Sequence, residues 1–197
     1  MEDNSEIAKA NICQCLLASI NVKKKIMDDE VIVGQIDRAA DIVIHCLESG
    51  GKLIIGGNGG SESDSLHFAG EIMGRFQKER MPWPAVVLGA DQATLTAIAN
   101  DYGYEKAFAR QARALVKKED ILFVISTSGN SKNLIHAVQE VGQTGCKTIA
   151  LLGKDGGELA GMVDCPIVVP SGVTARIQES HITIIHIICG LVEEALG

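Results

Sequence analysis

Thirteen residues, Ile121 to Asn133 (ILFVISTSGNSKN), leave this chain little choice of architecture. Ile121 to Ile125 are apolar and mostly β-branched or aromatic, the composition of a strand covered on both faces. Ser126, Thr127, Ser128, Gly129, Asn130 and Ser131 follow as small, mostly hydroxyl-bearing residues, and Leu134, Ile135 and Val138 then resume at helical spacing. The pattern predicts a strand, a polar loop and a helix start in succession. A helix N-terminus carries unpaired backbone N–H groups and partial positive charge, which suits a phosphate. No lysine follows the glycines as in a P-loop, so a nucleotide triphosphate is not the natural ligand. A Ser-capped strand-to-helix turn would account for the stretch alone; a second loop of the same kind upstream argues for more.

That second loop follows a short apolar strand, Lys52 to Gly56, and reads Gly56-Gly57-Asn58-Gly59-Gly60-Ser61 before a helix over Ser63 to Arg75. A turn needs one or two glycines, whereas four in five positions allow a backbone to approach a ligand closely. The two loops are expected to face each other as polar cradles.

The remaining chain repeats the alternation. Helices are predicted over Ser5 to Met27 and Glu30 to Leu47, the second stopped by Ser49-Gly50-Gly51. A strand at Ala85 to Leu88 precedes a helix capped by Asp91 and running through Ala99, then another over Glu105 to Leu115. The Ile121 strand and its helix lead to strands at Lys147 to Leu152 and Pro166 to Val169, with a short helix at Glu158 to Met162 between them. The last helix spans Thr174 to Leu196. Such alternation implies an α/β fold: a three-layer, doubly wound, parallel five-stranded sheet with two extra N-terminal helices and ligands at the strands' carboxyl ends. The whole of 1–197 reads as one domain, with 51–197 as the ligand-binding core that carries both polar loops. Residues 1–50 form a helical arm whose spare apolar positions, Ile7, Ile12, Leu16, Leu17 and Ile20, suit another subunit.

Composition excludes several classes. Lys and Arg number 18 against 25 Asp and Glu, a net charge of −7, which argues against nucleic acid as a partner. The longest apolar run, in the last helix, is broken by Thr183 and His186 and is too short for a membrane span. The opening Met1-Glu2-Asp3-Asn4 does not read as a signal peptide. Cys13, Cys15, Cys46, Cys146, Cys165 and Cys189 have no zinc-ribbon spacing and are expected to be reduced, buried thiols of a cytoplasmic protein.

Four side chains have chemistry beyond the loops. His67 and Glu71 stand one helical turn apart, about 40° round the axis, a spacing at which they can share a metal or pair as acid and base. On the last helix, Gln178 and His186 are two turns plus roughly 80° apart and can reach one point, whereas His181 lies roughly 140° from His186. Inside the apolar Ile182 to Ile188 run, His186 also reads as a core histidine held by one hydrogen bond.

Taken together, GGNGGS, His67-Phe68-Ala69-Gly70-Glu71, Ile98-Ala99-Asn100-Asp101-Tyr102-Gly103, STSGNS and Thr174 to Glu179 with His186 resemble the phosphoheptose isomerase family. These are sugar-isomerase (SIS) domain enzymes, flavodoxin-like in fold, acting on sedoheptulose 7-phosphate. The resemblance covers essentially the whole chain. It implies that Ser126, Thr127, Ser128 and Ser131 hold the phosphate, and that Asn58, Gly59, Gly60, Ser61, Asn100, Asp101 and Gln178 contact the substrate, with Arg75 nearby. It also implies that His67, Glu71, Gln178 and His186 bind one Zn²⁺ per subunit, that Glu71 and His186 are the acid–base pair, and that the protein is a cytoplasmic homotetramer. The implied role is the first step of ADP- or GDP-heptose precursor synthesis, for lipopolysaccharide or capsule. Two non-catalytic alternatives share the domain: a binding protein associated with a replication initiator, which lacks the complete acid–base set, and a sugar-phosphate sensor, which would carry a DNA-binding domain. Glu62 and Leu66 depart from the family pattern, and an acid beside a phosphate cradle would repel the ligand unless it turned away.

Overall fold

The computed structural model describes residues 2–197; Met1, the first residue of the opening tetrapeptide read above, lies outside the described residues. In chain order the elements are α1 (Glu2–Met27), α2 (Glu30–Glu48), β1 (Leu53–Gly56), α3 (Gly60–Met73), β2 (Ala85–Val87) and α4 (Gln92–Tyr102). They continue with α5 (Ala107–Leu115), β3 (Ile121–Ser126), α6 (Lys132–Val141), β4 (Lys147–Gly153), β5 (Cys165–Val169) and α7 (Thr174–Leu196). The expected alternation holds, with local corrections. The helix expected from Glu105 opens as a 3₁₀ turn, Tyr104–Lys106, and that expected at Glu158 to Met162 is a 3₁₀ turn, Glu158–Gly161. α3 begins at Gly60 and not Ser63, because Gly59 adopts a φ of 57° at its N-cap and turns the chain into the helix early.

The five strands are all parallel in the order β2-β1-β3-β4-β5. Connections leave the central pair in opposite directions, β1 to β2 on one side and β3 to β4 on the other. The β1–β3 boundary is therefore the switch point, where the diverging crossovers leave a crevice above the carboxyl ends. The strands' alternating side chains feed two cores. Leu53, Ile55, Ile121, Phe123, Ile125, Ile149 and Leu151 pack with α2, α3 and α7, whereas Ile54, Leu122, Val124, Ala150 and Leu152 pack with α5 and α6. Phe68 of α3 meets Phe123 edge-on at 5.1 Å between ring centroids and ties α3 to the sheet centre.

Register is locked at the sheet's amino edge. The buried Asp120 carboxylate accepts from the Lys52 backbone N–H at 3.0 Å, Lys52 Nζ at 2.6 Å and the Lys117 N–H at 2.8 Å. This aligns Leu53 with Ile121 and Gly56 with Val124, so the glycine-rich and serine-rich loops leave adjacent strands side by side.

The cysteine expectation is half corrected. All six are free thiols, and Cys46, Cys146, Cys165 and Cys189 are buried, but Cys13 and Cys15 are exposed. They sit on α1, whose apolar Ile7, Ile12, Leu16, Leu17 and Ile20 are also 49–62 % exposed. An apolar run on this helix does not imply burial, since only its end, Val22 and Ile26, joins the core. Among the described residues, no helix is long and apolar enough to cross a membrane.

Candidate active site

The loop after β3 is folded by its own small side chains. Ser126 Oγ accepts from the Gly129 N–H at 3.1 Å and lies 3.2 Å from Ser131 Oγ, while Ser128 Oγ accepts from the Asn130 N–H at 3.2 Å. Gly129 has a φ of +67°, and a Cβ there would lie 1.9 Å from the Gly156 carbonyl oxygen, so only glycine allows the loop to pass over the β4 turn. Asn130 anchors the outer side by accepting from the Glu158 N–H at 3.0 Å. Ser131 occupies the N-cap of α6 without capping it through its side chain. The α6 N-terminus therefore keeps donor capacity for an anion, beside half-buried Thr127, Ser128 and Ser131.

The glycine loop joins it through amides. Asn58 Nδ2 donates to Asn133 Oδ1 at 3.0 Å, Asn133 Nδ2 donates back to Asn58 Oδ1 at 2.9 Å, and Tyr104 Oη donates to the same Asn58 oxygen at 2.7 Å. This pairing brings the two predicted cradles together. It also adds Asn133 and Tyr104, which residue patterns missed: Asn133 closes the ILFVISTSGNSKN stretch but reads as an ordinary helix residue, and nothing local distinguishes Tyr104. Asn100 and Asp101 lie exposed in the last turn of α4, with Asn100 Nδ2 donating to Asp101 Oδ1 at 2.9 Å. Gly103 then leads directly to Tyr104.

Glu62 folds back onto the glycine loop. One carboxylate oxygen accepts from the Gly57 N–H at 3.3 Å, and burial pushes its pKa up to about 7 against the lowering effect of that bond. Ser61 is buried and Leu66 exposed.

His67, Glu71 and His186 come together. His67 Nε2 lies 3.0 Å from Glu71 Oε1 and 3.2 Å from His186 Nε2, and one ligand atom from each of the three residues falls within 4.8 Å of the others. His67 is exposed and the other two half-buried. Two imidazole nitrogens and a carboxylate oxygen converging in this way fit a divalent metal of the zinc type. Gln178 reaches across from α7: a Cβ on Gly60 would lie 2.5 Å from Gln178 Nε2, so its amide rests on the first turn of α3. Arg75 is not brought to the trio; it lies beyond the end of α3, exposed, with Nε 3.8 Å from Glu79. The core histidine of α7 is His181. It is fully buried, its Nε2 2.9 Å from the Leu152 carbonyl oxygen, and burial pulls its pKa down to about 4 although that bond opposes the shift.

The SIS-domain profile matches residues 20–153. A phosphoheptose isomerase of Geobacter sulfurreducens is 46% identical over 183 residues, covering 92% of this chain and 97% of its own. The chain belongs to the phosphoheptose isomerase family of SIS-domain proteins. A Nitratiruptor phosphoheptose isomerase is 52% identical over 157 residues, covering 80% of this chain and 84% of its own. The structure of the Neisseria gonorrhoeae phosphoheptose isomerase superposes with a TM-score of 0.89 at 39% identity, covering 95% of this chain and 99% of that one. The family fold thus includes the two N-terminal helices and all five strands.

Proposed function

We propose that this chain interconverts sedoheptulose 7-phosphate and D-glycero-D-manno-heptose 7-phosphate, supplying nucleotide-activated heptose synthesis. The observation that carries the reading is the convergence of His67, Glu71 and His186 in a chain with the family's phosphate loop. A non-catalytic binding role would not require this set.

The reaction moves one proton from C1 to C2 of the open-chain sugar and one between the attached oxygens, through an enediolate. Glu71 and His186 are assigned these proton transfers. Ser126, Thr127, Ser128, Ser131 and the α6 N-terminus bind the phosphate and supply binding energy remote from the reacting carbons. Asn58, Gly59, Gly60, Ser61, Asn100, Asp101 and Gln178 orient the sugar, with Arg75 contributing at the periphery. His67, Glu71 and His186, with Gln178, would hold one Zn²⁺ per subunit. Bound there, the metal would polarise the carbonyl and stabilise the developing oxyanion. A carboxylate or imidazole bound to metal is a weakened base, so Glu71 and His186 would alternate between the two duties.

The active form is proposed to be a cytoplasmic homotetramer assembled through the 1–50 arm, which would cover the exposed α1 stripe of Ile7, Ile12, Leu16, Leu17 and Ile20. Incubation with sedoheptulose 7-phosphate should yield the aldoheptose phosphate, with activity lost after chelation and restored best by zinc. Absence of turnover in zinc-loaded tetramer would refute the function. Full activity in chelator, with no bound ion, would leave Glu71 and His186 as a plain acid–base pair. Sedimentation should find a tetramer, and the double variant Leu16→Glu/Ile20→Glu should yield smaller species.

A further inference from the structure

A buried ion pair outside the trio bridges its two helices. Glu193 lies seven residues after His186 on α7, two turns along the same stripe. Its carboxylate accepts from three consecutive backbone N–H groups, Phe76 at 2.8 Å, Gln77 at 2.8 Å and Lys78 at 2.9 Å, and from Arg80 Nε at 3.0 Å. The Glu193 and Arg80 side chains are only 2% and 4% exposed. Burial alone would raise the Glu193 pKa, but these donors outweigh it and hold it at about 2.

Arg80 also donates to α3, besides a bond from NH1 to the Met81 carbonyl oxygen at 3.1 Å. Its NH2 group donates to the Glu71 carbonyl oxygen at 2.8 Å and NH1 to that of Ile72 at 3.0 Å, while the guanidinium lies 3.5 Å from the Trp83 ring centroid. These carbonyls belong to the last turn of α3, where acceptors have no partner within the helix. The segment between α3 and β2 is thereby a strap fastened to both helices of the trio. It also places Phe76 against His186, with ring centroids 5.5 Å apart and planes 25° apart. The ring torsion of histidine is broad, so its neighbours decide where Nε2 points.

We infer that Glu193 and Arg80 are positioning residues for the trio: the pair holds Phe76 flat on His186 and tethers the α3 turn that carries Glu71. This rests on reading the trio as the isomerase centre. On its other side His186 faces His67, whose Nε2 also faces Glu71.

The test uses Glu193→Gln and Arg80→Lys in the zinc-loaded full chain. Glu193→Gln keeps the shape but loses the charge that gathers the four donors. Arg80→Lys keeps the charge but loses the fork joining Glu193 to Glu71 and Ile72. Each should lower kcat about 10- to 100-fold, in line with other residues that orient metal ligands, and leave KM within about threefold because the phosphate loop is on β3 and α6. The imidazole proton resonances of His186 should lose the ring-current displacement imposed by Phe76, while those of His181 stay in place. The two variants also cover each other should one fail to fold. Folded variants with wild-type kcat and unmoved His186 resonances overturn the inference. So does a parallel loss in kcat, KM, Tm and the His181 signals, which marks general loosening. If wild-type protein is inactive yet His186 alone shifts in Glu193→Gln, the positioning link stands and the isomerase reading falls.

Discussion

His181 and His186 share one helix but not one environment. The first is sealed against β4, and the second faces His67 across the α3–α7 contact. The family resemblance implies that His67, Glu71 and His186 meet, whereas helical spacing only separates the two faces and pairs His67 with Glu71 and Gln178 with His186. Spacing cannot say which histidine is enclosed, because that depends on what packs against each face. If the trio carries protons, Glu71→Gln and His186→Asn should each reduce kcat by about 10²- to 10⁴-fold. The double variant should be little worse than the poorer single one, since residues that act as a unit are not additive. Wild-type turnover in both single variants, measured on folded protein of known metal content, would remove the assigned chemistry. Glu62 shows the same limit: its sequence position sets it beside the glycine loop, and only the structure reveals that its carboxylate accepts from the Gly57 N–H of that loop.

The functional loops depend on how elements end. β3 stops at Ser126 because the next residues are small and bond to one another, and α6 resumes where the apolar period returns. Gly129→Ala places a Cβ 1.9 Å from the Gly156 oxygen at a positive φ, so the loop must shift or unfold locally. Strain of this kind costs on the order of 1–3 kcal/mol before the clash is counted. Kinetics should register it as a raised KM with less change in kcat, and calorimetry as a lowered Tm; an unchanged KM would dissociate this loop from phosphate. That Gly129 is in the loop is plain from STSGNS. That it crosses the β4 turn is not, since Gly156 lies in another connection.

For the whole molecule, buried titratable groups set opposing pH dependences. His181 falls from an ordinary 6.5 to about 4, so the unfolded chain binds more protons between those values and stability drops as pH falls through that window. Glu193 falls from 4.5 to about 2, so its contribution is present above 4.5 and is lost as pH falls toward 2. Glu62 acts the other way: raised from 4.5 to about 7, it binds protons better in the folded state, and its contribution fades as pH rises from 4.5 to 7. Glu62→Gln should therefore raise Tm relative to wild type at about pH 8 and have less effect near pH 5. A Tm difference that does not change with pH would show that Glu62 ionises normally in the fold.

The sequence by itself determined the kind of fold, the positions of its strands and helices, the two polar loops and the pairings of His67 with Glu71 and of Gln178 with His186. These follow from local physics: side-chain periodicity, glycine's backbone freedom and the angular spacing of a helix. α7, predicted over Thr174 to Leu196, matches at both ends because its apolar period runs unbroken between them. Tertiary structure alone decided the strand order that sets β1 beside β3, and with it the meeting of Asn58 and Asn133 across 75 residues. It also joined Glu193 to Arg80 across 113 residues and laid Phe76 on His186. No local pattern encodes such contacts. The last two exist only once the crossovers have stacked α3 and α7 on the same face of the sheet, where the Glu193 carboxylate takes up the backbone donors of Phe76, Gln77 and Lys78.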